Sequence, residues 1–484
     1  MKNKLIISVL LFCTLTSCTG WLEVAPADRL TRENFWQTKE DVLSAMVGIY
    51  SLLRDNVETY IYWGEVRGDL LASNVGRAGA DKEAFDVFLV NPSNSMIQFV
   101  SIYRAINQCN LILKNIPDVA VRDGSFNDKL IKEYTAEARM LRAYCYFMLA
   151  RTFKDVPIVT DPAERDDQNF YIPKSPQADV YSFVYDDINY AVDNLPQSYA
   201  TVLETKTRCT YYAALAMRAE VALTMGYYDL AIQDCETIIS SRTYYMLPGT
   251  DYLSIFYPPA CTAESLWEFP FNKQLGQTSV LRNRFNSNQH FNGTHLRDLF
   301  SSEAEQLYGI RENASLTSGD LVNKYNVSTD DAHWILYRFA DVLLMQAEAY
   351  AHTTTGNAND RFQKVASLVE MVAKRSLIQN DPENLFVFTV DPPLSVDEAD
   401  DMILNERGRE LCFEGTRWYD LVRFASRDNF ARKYLLTDRV VASFNGIEQQ
   451  SIAPRIANPE SWYLPVSAAD IVSNPALKQN PYYE

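Results

Sequence analysis

Residues Ala214 to Ile239 read ALAMRAEVALTMGYYDLAIQDCETII. Apolar and small side chains return at helical intervals through this run, which predicts one helix over Tyr211 to Thr224 and another over Tyr228 to Ile239. Ala219, Ala222, Gly226, Tyr228 and Ala231 give the pair its character, because small residues let two helices approach closely. The same period extends outward on both sides. On the N-terminal side, Ile102, Ile106, Cys109, Leu113 and Ile116 form a stripe that Pro117 is expected to end. Tyr134 to Phe153 follows with Ala138, Leu141, Ala143, Tyr144, Phe147 and Ala150, and then Val180 to Leu195. On the C-terminal side, Trp334 to Tyr350 (WILYRFADVLLMQAEAY) and Phe362 to Arg375 make a later pair.

These pairs resemble degenerate tetratricopeptide repeats. The expected fold is all-α: a stacked, right-handed, tetratricopeptide-like array of about four helix-turn-helix units, interrupted by irregular loop-rich insertions. A further helix, with Val42, Ala45, Met46, Ile49, Tyr50 and Leu53 on one face, precedes the array. The expected organisation places repeat pairs at about 96–240 and 334–376, insertions at about 60–95 and 244–325, and a C-terminal part at about 377–484. At 484 residues the chain is longer than one hydrophobic core usually supports, which fits such a division.

The insertions hold the candidate ligand contacts. Tyr60 to Ser95 is rich in Gly, Asn, Asp and Arg, reads as a solvated loop, and carries Trp63, Arg67, Asp69, Asn74 and Arg77. Tyr244 to Tyr325 breaks the helical rhythm. Ser265 to Phe269 alternates weakly like a strand, and beyond it stand Arg282, Arg284, Asn286, His290, Phe291 and Tyr308. Loops of this length inside a compact protein are commonly functional. Rings beside Arg, Asn and His donors suit sugar hydroxyls, carboxylates or peptide backbone.

The most charge-dense apolar segment is Met402 to Phe424, MILNERGRELCFEGTRWYDLVRF. Ser395 with Glu398 signals the start of a helix, and Gly415 suits its end. Glu406, Glu410, Glu414 and Asp420 alternate with Arg407, Arg409, Arg417 and Arg423. A catalytic general acid needs a raised pKa, and neighbouring guanidiniums lower it. The segment is therefore read as an ion-pair network joining two helices.

A net charge of −17 argues against the basic stripe of a nucleic-acid surface and against polybasic attachment to anionic lipid. Lys2 and Lys4, the apolar run Leu5 to Phe12, and Leu15-Thr16-Ser17-Cys18 predict a lipoprotein leader over 1–17, acylation of Cys18, and a tether over 18–34. No other stretch reaches the roughly 20 apolar residues of a membrane helix. The remaining cysteines are scattered and read as buried thiols. The four histidines, His290, His295, His333 and His352, are dispersed, so no metal cluster is expected from spacing. No P-loop, H-E-x-x-H, G-x-S-x-G or dinucleotide fingerprint is present, and neither catalysis nor a cofactor is expected.

The order ER-x-REL-x-FEG-x-RWYDL-x-R over Glu406 to Arg423 resembles the C-terminal hallmark of the SusD/RagB family. Three other stretches resemble family patterns: Phe35-Trp36 through Tyr50, Arg338 with Ala340 to Met345, and the tail from Trp462 to Tyr483. Val466 and Ser467 depart from the tail pattern, and Tyr482 replaces its Gly. The resemblance implies a non-catalytic outer-membrane lipoprotein that faces the cell exterior, captures oligosaccharide, and sits as a lid on a SusC-like TonB-dependent transporter. The RagB branch implies a peptide ligand instead. The resemblance also implies that the segment after the first helix contributes ligand contacts.

Overall fold

The computed structural model describes residues 35–73, 78–165, 167–286, 291–292, 294–301, 309–317, 321–377 and 388–484. Helices form where the apolar period predicts them. They are α1 (Lys39–Asp55), α2 (Val100–Arg122), α3 (Asp128–Phe153), α4 (Gln177–Asn194), α5 (Tyr211–Met225), α6 (Tyr228–Ser240), α7 (Phe339–His352), α8 (Ala358–Arg375), α9 (Val396–Leu411) and α10 (Arg417–Phe430). From α1 to α8 each helix packs on the next in chain order, the contact pattern of a stacked array. In the pair α5–α6, Ala213, Ala214, Ala216, Ala219, Ala222 and Ala231 are all buried. Gly226, at φ +78, makes the tight left-handed turn between the two helices. Helix α6 packs directly on α7 although about a hundred residues separate them, so the second insertion loops out of an array that continues past it.

Three expectations are corrected. Helix α2 does not stop at Pro117 but continues to Arg122. Proline removes a single helical hydrogen bond, and the buried Ile116 and Val119 on either side keep the turn on the core. Trp334 to Arg338 is a strand, not the first turn of α7. With Ser265–Phe269 (β2) it forms an antiparallel pair, Trp334–Arg338 being β4, in register Phe269↔Trp334 and Ser265↔Arg338. Aromatic and β-branched residues favour this state, and the pair closes the base of the second insertion. Finally, Tyr60 to Leu71 is buried throughout. It forms a short helix (Val57–Ile61) and a π-helical turn (Tyr62–Val66), because its polar groups find partners inside the fold.

The hallmark segment supplies most of those partners. Ser395 caps α9 by accepting the Glu398 N–H at 3.2 Å. Phe413 and Gly415, both at positive φ, donate backbone N–H groups to the two oxygens of Glu65 at 2.7 and 3.0 Å. Arg338 is the hub of an ionic core, reaching Glu264, Glu410 and Glu414 at 2.6–2.9 Å. Arg311 bridges Glu406 and Glu410, and Lys324 holds Glu414 at 2.8 Å. A second cluster joins Arg407 to Asp341 and Asp420, and Arg423 to Glu348 and Asp420. The network thus extends well beyond the two helices expected. Burial pushes Glu410 and Glu414 up, but Arg375, Arg338 and Lys324 outweigh it and hold both carboxylates below their ordinary range. That is the opposite of what a general acid requires.

Candidate functional site

Among the nominated contacts, Trp63, Arg67 and Asp69 are core anchors, which corrects their reading as loop ligands. The Trp63 indole donates to the Met96 carbonyl at 2.9 Å and meets Phe153 edge-on. The Arg67 guanidinium lies 4.1 Å over the Trp418 ring and donates to the Ser461 carbonyl. Burial without a carboxylate pushes it down to about 10. Asp69 takes a bidentate pair from Arg417 at 2.6 and 2.7 Å. Asn74, Arg77, His290, Tyr308 and Cys18 lie outside the described residues, as do the side chains of Asn286 and Phe291.

The structure nevertheless brings the two insertions together. Ala72–Ser73 (β1) pairs antiparallel with Phe291–Asn292 (β3), in register Ala72↔Asn292 and Ser73↔Phe291. Beside this stitch, Glu58 forms ion pairs with Lys82 of the first insertion at 2.5 Å and Arg284 of the second at 2.7 Å. Burial pushes Glu58 up, and the two cations hold it below the usual carboxylate range. Asp330 gathers Lys273 at 2.9 Å and Arg282 at 3.3 Å. These two cations keep 54% and 41% of their side chains exposed, so they can still bond an incoming hydroxyl or carboxylate. Arg284, half-buried on Glu58, acts as a brace.

Two concave features were not anticipated. A groove of about 420 Å3 runs between the start of α2, the 157–172 connection and the C-terminal tail. Phe99, Tyr103, Phe170 and Ile172 supply its apolar surface, and Phe170 is 48% exposed. Its polar groups are occupied in building the walls: Asp470 accepts the Phe99 N–H, Tyr103 donates to the Pro157 carbonyl, and Asn474 donates to the Ile172 carbonyl. Trp63 supports it from beneath through Phe153, which packs edge-on against Phe99. The sequence signal was Phe170-Tyr171, two adjacent rings in an Asp- and Asn-rich connection. A smaller cavity of about 170 Å3 lies between the array and α10. There the Arg151 guanidinium stacks 4.0 Å over Tyr419 and pairs with Glu220 at 2.7 Å.

One of the four histidines, His333, meets Glu268 and Cys261 in a tight group that the spacing of histidines alone does not reveal. No helix among the described residues is long and apolar enough to cross a membrane.

Comparison with known proteins matches both halves of the chain. Residues 272–483 fit the model of the SusD family, and residues 20–223 fit one described as starch-binding and associating with the outer membrane. A SusD-like protein of Formosa agariphila, P38, is 25% identical over 97% of this chain and 96% of its own length. A SusD superfamily structure from Bacteroides vulgatus superposes with a TM-score of 0.76 at 18% identity, covering 93% of this chain and all of its own. A laminarin-binding SusD-like protein superposes with a TM-score of 0.69 at 20% identity over 92% of this chain and 99% of its own. The helical array, the hallmark segment folded as its ionic core, and the two matched halves place the chain in the SusD family, a glycan-binding family associated with the outer membrane.

Proposed function

We propose that this protein is a non-catalytic, lipid-anchored capture protein, acylated at Cys18. It holds an oligosaccharide on the outer face of the outer membrane and passes it to a SusC-like TonB-dependent transporter. The observation that carries this reading is the stitching of both insertions into one composite surface by β1 and β3. The helical pairs within about 100–240 and 339–375 act as a scaffold, and the insertions at about 72–95 and 244–325 carry the ligand loops. Exposed Lys273 and Arg282 bond sugar hydroxyls or uronate carboxylates. Affinity is modest, because many hydroxyls must be desolvated.

Calorimetric titration with a broad panel, including starch and laminarin oligosaccharides, tests capture. Silence across the panel refutes it. Pull-down of a β-barrel partner from detergent-solubilised outer membranes tests delivery, and the absence of new reducing ends from bound glycans tests the non-catalytic role. A second reading, a peptide ligand of the RagB kind, draws on the apolar character of the Phe99 groove. Mass spectrometry of captured peptides decides between the two.

A further inference from the structure

We propose that Cys261, Glu268 and His333 form a binding site for a zinc-class divalent cation that clips together the base of the second insertion. The three side chains come from separate pieces of chain: Cys261 from the turn before β2, Glu268 from β2, and His333 from the residue before β4. One ligand atom from each lies within 4.8 Å of the others. The Cys261 Sγ is 3.0 Å and the His333 Nδ1 2.8 Å from Glu268 Oε1. Ligand atoms around a tetrahedral Zn2+ with bonds of about 2.0–2.3 Å stand roughly 3.3–3.8 Å apart. A sub-ångström opening of the trio is therefore enough to admit the ion.

A plain hydrogen-bonded cluster is the competing account, and it satisfies only Oε1, which accepts the Cys261 N–H and faces the thiol and the imidazole. The other carboxylate oxygen, Glu268 Oε2, is buried without a hydrogen-bond partner, and so are Ser265 Oγ and Thr262 Oγ1. Glu268 and Ser265 are fully buried. The Ser265 hydroxyl lowers the Glu268 pKa as a side-chain hydrogen-bond donor would, although the contact falls short of a well-formed bond. A buried carboxylate oxygen without a well-formed hydrogen bond inside a thiol, carboxylate and imidazole trio is what a bound cation accounts for, since buried polar groups are otherwise almost always paired.

The donor set of thiolate, imidazole and carboxylate selects Zn2+ over Mg2+ or Ca2+, which prefer oxygen alone. Binding requires the thiol proton to leave to solvent, and the thiolate and carboxylate then neutralise the ion. Lys206, which bonds the Ser265 carbonyl at 2.6 Å, is the nearby competing cation. Burial pushes its pKa down to about 8. Cys261 is the one half-exposed thiol among the described cysteines, the other five being buried, which leaves the ion an entry path.

The test is titration of the full chain with Co2+ and Zn2+. The expected result is one equivalent of Co2+ bound with a near-ultraviolet thiolate-to-cobalt charge-transfer band, and protection of Cys261 from alkylation by Zn2+. Cys261→Ser and His333→Gln, each checked for native circular dichroism, should weaken Zn2+ binding by at least the roughly 10–100-fold that even outer-shell partners cost. Wild-type protein that gives no thiolate band, or a band that survives in Cys261→Ser, overturns the proposal. The wild-type spectrum decides even if a variant fails to fold.

Discussion

Replacing Arg338 by methionine tests whether the ionic core holds the fold together. Arg338 is 1% exposed and makes hydrogen bonds to three carboxylates and to the Glu410 carbonyl. Breaking a buried ion pair costs about 3–5 kcal/mol when it strands a charge. Each carboxylate here keeps another cation: Arg375 holds Glu264 and Glu410, Arg311 holds Glu410, and Lys324 holds Glu414. The expected loss is therefore at the lower end, about 3 kcal/mol. A chain of this length gains roughly 1 kcal/mol/K of entropy on unfolding, at about 2.1 cal/mol/K per residue. The midpoint in scanning calorimetry should therefore fall by about 3 °C. Arg338→Lys, which keeps the charge and loses the fork, should lie between. A double-mutant cycle with Glu414→Gln should return a coupling above about 0.5 kcal/mol. An unchanged or raised midpoint for Arg338→Met, together with zero coupling, would mean the network is dispensable and the reasoning fails.

Other perturbations probe the same architecture. Gly64→Ala sets a Cβ 1.9 Å from the Gly415 carbonyl oxygen and 2.8 Å from the Tyr419 ring. It should lower thermal stability more than any exposed Gly→Ala change, and a neutral result would mean the π-helical turn does not press on the hallmark loop. Asp69→Asn removes the bidentate partner of the buried Arg417, so it should destabilise the fold by about 3 kcal/mol or more. If it instead weakens glycan binding at unchanged stability, Asp69 is a ligand contact after all. Burial raises Glu65 to about 7 against an ordinary 4.5, despite the N–H groups of Phe413 and Gly415. The folded state therefore binds more protons than the unfolded between those values, and the Glu65 contribution is full at low pH and lost as pH rises through 7. Relative to Glu65→Gln, wild type should lose about 3 kcal/mol between pH 4 and pH 8, and parallel urea-denaturation curves at the two pH values would refute this.

The array was legible because its signal is local. Helices such as α5 and α6 carry their period and their small residues within a few turns, and no distant contact is needed to read them. The hallmark was legible as a charge pattern, but its partners were not. Arg311, Lys324 and Arg338 lie some 70 to 100 residues away, and nothing in their spacing announces the meeting. The same blindness explains the misreading of Trp63, Arg67 and Asp69. A Gly- and Asp-rich segment looks solvated until Trp418, Arg417 and the Phe413–Gly415 amides satisfy it. Trp334 to Arg338 went wrong for a related reason: its apolar run suits helix or strand alike, and pairing with β2 decided it.

The position of the ligand loops follows from where those buried charges come from. Glu264 stands directly before β2 and Arg338 ends β4, so the two strands that close the second insertion carry charges into the core beneath α9. Glu65 and Asp69, from the first insertion, are fastened to the loop and helix just beyond α9. Both insertions are thus anchored on one stretch, Glu406 to Arg417, by contacts that tolerate little displacement, because each misplaced charge would be left desolvated and unpaired. An apolar interface of similar size would hold them as firmly but would allow sliding. On this argument the charge-rich segment serves registration: it fixes how the two roots sit relative to each other, and hence how β1 meets β3. A prediction separates registration from mere stability. In Arg338→Lys under conditions where the protein remains fully folded, hydrogen exchange should quicken at Ala72, Ser73, Phe291 and Asn292 while α5 and α6 are unaffected. Uniform acceleration across the array, or none at the stitch, would show that the ionic core supports the fold without aligning the insertions.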